Sequence, residues 1–133
     1  QKSAYSNIPD VPDPYMNSFV LGYFDGDGSI FKKSDGGYGI NITSEKSIIT
    51  DLKNVIFRLS GVNLKMAQCN NDKSYMIRTS EFCKIYTLYK FMYRDQKTFL
   101  KRKHDRFISY FENSQHLLEN CDNITPLNIA INL

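Results

Sequence analysis

Apolar residues recur at helical spacing most clearly between residues 47 and 60, where they occupy one face of a predicted helix. That face consists of Ile48, Ile49, Leu52, Val55, Ile56 and Leu59. Gly61 follows the last apolar position, and glycine at that place is a typical helix end. The same spacing predicts two further helices, one over about residues 80–93 and one from about residue 96 to about residue 118.

An earlier helix is predicted from its start signal. Asp13 is a typical N-cap residue, and Pro14 then stands at the first helical position, where the missing N–H of proline costs nothing. We expect this helix to run through Phe24 or Asp25 and to end at the glycines of residues 26–28.

Two pairs of short runs have the composition and alternation of strands. SIFKKS and YGINITS flank a turn at residues 35–37, and VNLKMAQC and SYMIRTS flank a turn at residues 70–72. In the second run, Ile40 and Ile42 alternate with polar residues, so one face is apolar and the other is polar. Each pair is therefore predicted to be a β-hairpin.

The resulting order, α-ββ-α-ββ-α-α, predicts an α+β domain with one four-stranded antiparallel sheet and helices on one face. We expect this domain to span residues 14–118. Residues 1–13 hold two of the four prolines and are predicted to be a leader or linker. Residues 119–133 show no clear period and are predicted to be a C-terminal tail.

Composition and charge narrow the class of protein. No apolar run approaches the roughly 18 residues of a membrane span, so we expect no membrane partner. The net charge of +3 and the pI of about 8.7 are compatible with a nucleic-acid partner. Three cysteines without C-x-x-C spacing argue against a disulfide framework or a zinc site. A reducing intracellular compartment is expected, either the cytoplasm or an organelle such as a mitochondrion or chloroplast.

The stretch LGYFDGDGSI places two glycines and two carboxylates at the end of the first helix. Gly22 and Gly26 are four residues apart and share one helical face. Each glycine costs roughly 1 kcal/mol of helix stability relative to alanine, so a pair on one face calls for an explanation. Small residues at this spacing allow another backbone to approach closely. A merely loosened helix end is the open alternative.

The two acids raise a separate question. DGDGSI matches the middle of an EF-hand calcium loop, but Tyr23 and Ser34 stand where that loop requires Asp and Glu, so an EF-hand is excluded. Carboxylates at a helix C-terminus oppose the helix dipole, and a divalent cation there would relieve this cost. Asp27 and a neighbouring carbonyl are ligands of the kind that Mg²⁺ prefers. A plain turn remains the alternative.

The nine residues 20–28 resemble the signature of the LAGLIDADG homing endonucleases, and the resemblance extends over about residues 15–111. It implies that family's αββαββα fold with a saddle-shaped sheet. It also implies site-specific cleavage of double-stranded DNA by metal-dependent phosphodiester hydrolysis, with Mg²⁺ or another divalent cation, of the kind linked to intron or intein mobility. The alternative is an inactive descendant that binds DNA or RNA, as a transcriptional regulator or a splicing maturase.

The resemblance assigns roles within the motif. It places Gly22 and Gly26 at the contact between two motif helices, in a homodimer or with the other half of a two-motif chain. Asp27 is implied to be the catalytic metal ligand, with the carbonyl of Gly26 nearby. Asp25 is implied to lie at the helix end or the interface and not to bind metal.

Two further catalytic positions follow from the resemblance. Residues 99–103 resemble the segment that carries an active-site lysine, so Lys103 is expected to polarise the phosphate or position the attacking water. Lys103 also lies on an apolar stripe between Phe99 and Phe107, where a lysine that only snorkels is an alternative. Ser44 stands where the family often has a polar residue that orders solvent, although an N-cap role for the next helix is favoured.

The outward face of the predicted sheet carries side chains suited to direct readout of base edges in the major groove. A solvated face is the alternative, and a slip of one residue in the second hairpin would exchange its two faces. The predicted DNA contacts, which include residues near the turns and in the basic segment, are Ser29, Phe31, Lys33, Asn41, Thr43, Lys65, Gln68, Lys73, Arg78 and Lys101.

Overall fold

The computed structural model describes residues 5–70 and 73–121. Four residues of the predicted leader, two residues of the second predicted turn and residues 122–133 of the predicted tail lie outside this part. Within it, no helix is both long and apolar enough to cross a membrane.

The order of the elements confirms the predicted α+β architecture. The first half of the chain comprises α1 (Asp13–Asp27), β1 (Gly28–Lys32), β2 (Tyr38–Glu45) and α2 (Lys46–Ser60). The second half comprises β3 (Lys65–Gln68), β4 (Ser74–Thr79), α3 (Phe82–Tyr93), α4 (Lys101–Glu112) and α5 (Gln115–Leu118), followed by a short 3₁₀ helix (Glu119–Cys121).

The four strands form one antiparallel sheet in the order β1-β2-β4-β3. Gly36 turns the first hairpin with a φ of 91°, in the left-handed region that favours glycine. In the second hairpin Lys65 pairs with Arg78, and Met66 pairs with the buried Ile77. The predicted faces of both hairpins are therefore correct, without a slip of one residue.

The core lies between the inner face of the sheet and the helices. Val20 and Phe24 of α1 and Leu52 and Ile56 of α2 are fully buried. The inner face of the sheet is lined by Ile30, Ile40, Ile42 and Ile77. Its outer face has no helix packed on it in the described part of the chain, which leaves the polar side of the strands accessible.

The last and the first predicted helices have boundaries that differ from the prediction. The helix expected over about residues 96–118 is divided into α4, which ends at Glu112, and α5. Helix α4 begins only at Lys101, because the preceding segment is held by tertiary contacts. There the ring of Phe99 stacks on His104 and meets the edge of Tyr93. Such packing is not visible in helical periodicity, and it overrides local propensity.

The start of α1 also differs. Its N-cap is Pro12, and Asp13 is the first helical residue. The Asp13 carboxylate instead accepts two hydrogen bonds, of 2.9 and 3.0 Å, from Arg58 of α2. Arg58 also donates to the hydroxyl of Tyr5, and Ile8 is buried, so the described residues before α1 pack against α2.

A disulfide joins Cys83 of α3 to Cys121 of the 3₁₀ helix, and the argument against a disulfide framework did not anticipate it. The two residues are 38 positions apart in sequence, yet their Cα atoms are 5.1 Å apart. Spacing along the chain cannot reveal a pair that only the packing of the C-terminal helices brings together. Cys69 is the free cysteine of the described residues.

Candidate functional site

The site is built where α1 ends and β1 begins without an intervening loop. The N–H of Gly28 donates to the carbonyl of Phe24 and closes the helix. A Cβ at Gly28 would collide with the Phe24 ring and would lie 2.7 Å from the Phe24 carbonyl and 3.0 Å from that of Asn41. Glycine is therefore required at position 28, because neighbouring atoms leave no space for a side chain. This tight junction fixes the position of the preceding residue, Asp27.

The two acids of this junction have different surroundings. Asp27 is exposed, whereas Asp25 is half-buried. Asp25 Oδ2 accepts a hydrogen bond of 3.0 Å from the N–H of Leu100, the N-cap residue of α4. Asp25 Oδ1 is buried without a hydrogen-bond partner among the described residues. Asp25 thus serves a helix–helix contact within the chain, and Asp27 is the carboxylate open to solvent.

Lys103 lies on the apolar stripe of α4, as predicted, and only 8% of it is exposed. Its Nζ donates to the carbonyls of Phe24, Asp25 and Gly28 at 2.9, 2.8 and 2.6 Å. Burial lowers the pKa of Lys103, and the nearby Asp25 carboxylate opposes that shift. The ammonium is held by two carbonyls in the last turn of α1 and by the first carbonyl of β1, and it is not snorkelling to water. The partial negative charge at the end of α1 favours a cation there.

One chain presents part of a site for a hard cation. The exposed Asp27 carboxylate and the Gly26 carbonyl, which is not among the three that Lys103 binds, are oxygen donors of the type that Mg²⁺ takes. Across residues 5–70 and 73–121, no group of three or more His, Cys, Asp or Glu side chains is placed to hold a metal. These two donors are of a type that fits a divalent cation, and they would fill only part of its coordination shell of about six oxygen ligands.

The glycines of α1 lie on the side of the helix that faces away from the core. Gly22 and Gly26 are exposed, and a Cβ at either position would meet nothing within 4 Å. On the same helix, Tyr15 is 65% exposed. Nothing within the described residues requires these two positions to be glycine.

Ser44 lies within β2 and is not the N-cap of α2, so the favoured N-cap role is wrong. The strand continues through Glu45, which is the N-cap residue and makes no side-chain capping bond. Ser44 Oγ instead lies 2.7 Å from the hydroxyl of Tyr23. Since Tyr23 is one helical turn before Asp27, this hydrogen bond ties the side of α1 that carries Asp27 to the sheet.

The outer face of the sheet carries one polar side chain from each strand in a continuous line. Ser29 pairs with Asn41, Asn41 pairs with Arg78, and Arg78 pairs with Lys65. These four residues are called the polar row. Phe31, 42% exposed, and Thr43 share their face, as predicted.

A groove of about 810 Å³ runs beside the polar row. Lys33, just after β1, lines it, and so do Lys53 of α2 and Lys84 of α3, which the sequence analysis did not identify. Lys53 Nζ donates to Asn63 Oδ1, and Lys84 Nζ donates to the Asn63 carbonyl. Both lysines lie on polar helix faces, and only the tertiary structure shows that they flank the sheet.

Three predicted contacts lie elsewhere. Gln68 pairs with Tyr75 at the end of β3, on the side of the sheet opposite the polar row. Lys73 is exposed next to the turn that lies outside the described residues. Lys101, at the start of α4, forms a 2.7 Å ion pair with Asp105. These three side chains are not part of the groove.

Known protein families and solved structures both match this chain to LAGLIDADG proteins. The sequence profile of the LAGLIDADG-like domain matches residues 14–102. Among solved structures, the LAGLIDADG homing endonuclease I-LtrWI, bound to target DNA, is similar with a TM-score of 0.57 and 16% identity, over 89% of this chain and 42% of that chain. No curated protein sequence matches the chain.

Two other structures show the same likeness. The meganuclease I-SmaMI, bound to uncleavable DNA, has a TM-score of 0.57 and 16% identity over 94% of this chain and 43% of that one. The archaeal intron-encoded homing endonuclease I-Vdi141I, complexed with DNA, has a TM-score of 0.55 and 16% identity over 91% of this chain and 84% of that one. The chain thus spans less than half of I-LtrWI and of I-SmaMI. At this identity the likeness concerns the fold.

Proposed function

Because the chain belongs to the LAGLIDADG homing endonuclease family, we propose that it cleaves double-stranded DNA at specific sites by metal-dependent phosphodiester hydrolysis. The observation that carries the proposal is the division of labour at the end of α1. Asp25 is engaged with α4, whereas Asp27 is exposed at a junction whose geometry is fixed by Gly28. An exposed, positioned carboxylate is what a catalytic cation site needs.

Pairing through α1 completes the proposed site. The outward side of the helix carries Gly22 and Gly26 with nothing near them, so the backbone of a second motif helix can approach. The second helix comes from another copy of this chain or from the other half of a longer protein. Two Asp27 carboxylates then lie side by side, each next to one strand of the DNA.

The residues of the chain divide the work as follows. Asp27 and the Gly26 carbonyl hold a divalent cation such as Mg²⁺. When bound, such a cation activates water and neutralises the charge that develops on the scissile phosphate. The bonds of Ser44 to Tyr23 and of Asp25 to Leu100 keep the end of α1 in place between the sheet and α4.

The outer face of the sheet is proposed to read the DNA. In the polar row, an arginine can bond two acceptors of guanine and an asparagine can bond adenine in the major groove, and serine and lysine add further donors. Lys33 and Lys53 along the groove supply positive charge for the phosphates, and Lys84 does so while paired with Glu81 at 3.0 Å. The DNA named in the structures of I-LtrWI and I-Vdi141I supports a DNA partner.

A cleavage selection tests the proposal. The chain is incubated with a randomised double-stranded DNA library and Mg²⁺, and the cut ends are sequenced. We expect one recurrent site, cut in both strands. Asp27→Asn should lower the cleavage rate at that site by roughly 10²-fold or more while DNA binding changes little, since a charge that stabilises the transition state is lost but no base contact is. Equal cleavage by this variant would disprove the assignment of Asp27.

The inactive alternative, a DNA- or RNA-binding regulator or maturase, has one structural argument in its favour. Both other positions that the resemblance makes catalytic, Lys103 and Ser44, are hydrogen-bonded inside the chain. The same library separates the two functions. Specific binding without cleavage in Mg²⁺ or Mn²⁺ would indicate the inactive function.

A further inference from the structure

The ammonium of Lys103 has no donor left over for a phosphate. A lysine carries three N–H donors, and three carbonyl oxygens lie within 2.9 Å of this Nζ. They belong to Phe24, Asp25 and Gly28, which bracket Gly26 and Asp27 in sequence. The lysine is therefore hydrogen-bonded to the backbone on both sides of the proposed metal ligands.

Two further hydrogen bonds join the start of α4 to α1 and β1. Asp25 Oδ2 accepts the N–H of Leu100 at 3.0 Å, and Arg106 Nη1 donates to the carbonyl of Ile30 at 2.8 Å. Together with Lys103, these contacts attach the first turns of α4 to residues 24–30 by charged groups.

The position of Lys103 in the first turn of α4 is electrostatically unfavourable for α4 itself, so it must be compensated by contacts outside that helix. A cation in the first turn of α4 opposes the dipole of that helix. The last carbonyls of α1 offer the compensating partial charge, since a helix C-terminus leaves four carbonyls without partners inside the helix. The lysine is thus placed to serve α1.

We propose that Lys103 is a positioning residue that acts through the carbonyls of Phe24, Asp25 and Gly28 to hold Asp27 and the Gly26 carbonyl in place. This rests on the proposed function and replaces a direct contact of Lys103 with the scissile phosphate. A lysine that moved to the phosphate would give up three hydrogen bonds and would take the ammonium away from the carbonyls of Asp25 and Gly28, which is costly.

Amide hydrogen exchange of the free protein tests, without any DNA, whether Lys103 holds the backbone at the end of α1. Lys103→Met keeps the length of the side chain and removes the ammonium. We expect the amides of residues 26–28 to exchange at least about tenfold faster, while those in the middle of α2 change much less. Lys97→Met, which removes an exposed lysine before α4, is the matched control and should leave both sets unchanged. Equal exchange of residues 26–28 in wild type and Lys103→Met would overturn the proposal.

Cleavage separates positioning from phosphate contact. At the selected DNA site, Lys103→Met should need several-fold more Mg²⁺ for half-maximal single-turnover cleavage, and excess Mg²⁺ should restore much of the rate. A lower maximal rate with unchanged Mg²⁺ dependence would mean that Lys103 acts at the phosphate. If no DNA site is cut, the proposed function fails. Hydrogen exchange then still tests whether Lys103 holds residues 26–28 in place.

The wild type offers a test that does not depend on the variant folding. An ammonium that is buried and bonded to three acceptors should exchange its protons slowly. In protein labelled with ¹⁵N-lysine, we expect an NMR signal from the Lys103 ammonium in the free state and no comparable signal from the exposed Lys97. Absence of the Lys103 signal would overturn the proposal.

Discussion

The two sides of α1 are built on opposite principles. Toward the core, Val20 and Phe24 are fully buried, and Gly28 at the helix end has no space for even one more carbon atom. Away from the core, Gly22 and Gly26 have nothing around them. Glycine is therefore required by the chain itself at one position and is unexplained by the chain at two others.

The contrast teaches that one short motif answers two separate demands. The inward demand is steric and electrostatic: the helix is closed onto β1, and the carbonyls on both sides of the junction bind the ammonium of Lys103. The outward demand is the association proposed above. A glycine on an exposed helix face costs about 1 kcal/mol relative to alanine, and the approach of a second motif helix is our proposed reason for it.

The largest expected effect comes from filling the outward side. Gly22→Val places a branched side chain where we propose that two motif helices meet. Overpacking costs about 1–3 kcal/mol, so self-association should weaken by roughly tenfold or more, and double-strand cleavage should fall with it. Sedimentation of wild type and variant measures the change, and a thermal melt checks that the fold is intact.

Two outcomes would break the contrast at this position. A wild type that stays monomeric on DNA would make the chain one half of a longer enzyme. A variant as dimeric as the wild type at the same concentration would show that Gly22 does not serve association.

The second prediction compares alanine on the two sides. Gly28→Ala should destabilise the fold by about 1–3 kcal/mol, because its φ of −101° suits alanine but the space does not. Gly22→Ala should stabilise the isolated monomer by about 0.5–1 kcal/mol through helix propensity. Denaturant unfolding of both variants at a concentration where the wild type is monomeric measures the two signs. The same sign for both would contradict the division of α1 into a crowded and an open side.

The smallest expected effect is the pH dependence of stability that comes from His104 of α4. His104 of α4 stacks on Phe99, accepts or donates one hydrogen bond with Tyr89, and has a pKa lowered by burial. Because the unfolded chain binds the proton more readily, this residue's contribution to stability is present above about pH 6.5 and is lost as the pH falls toward its folded pKa.

The measurement is the loss of unfolding free energy between pH 7.5 and pH 5.5. His104→Phe keeps a ring in place and should lose less than the wild type over this interval. His116→Phe, at an exposed position on α5, should behave like the wild type. An identical loss in all three proteins would mean that His104 is not linked to stability in this range.

The sheet was predictable because its register follows from a local alternation of apolar and polar residues. Ile40 and Ile42 face inward and Asn41 faces outward, and the second hairpin obeys the same rule. The start of α4 was not predictable, because it depends on the contact of Leu100 with Asp25, 75 residues earlier. Local patterns determine strands well, whereas a helix boundary set by a distant carboxylate requires the tertiary structure.

The candidate site shows the same limit. Sequence placed Lys103 on an apolar stripe, which is correct, but periodicity says nothing about what the end of the side chain meets. Its carbonyl partners are provided by the C-terminus of another helix. The disulfide between Cys83 and Cys121 was missed for the same reason. In both cases the partners are distant in sequence, and no local pattern links one partner to the other.

The proposed role of the polar row in reading DNA has a consequence for how its sequence preference could change over time. Its four members stand on four strands whose backbone pairing is indifferent to the outward side chain. Ser29 and Lys65 occupy opposite edges, about 14 Å apart at 4.8 Å per strand, so their substitutions should combine additively. Successive generations could therefore replace one of these side chains at a time without changing the backbone pairing of the sheet.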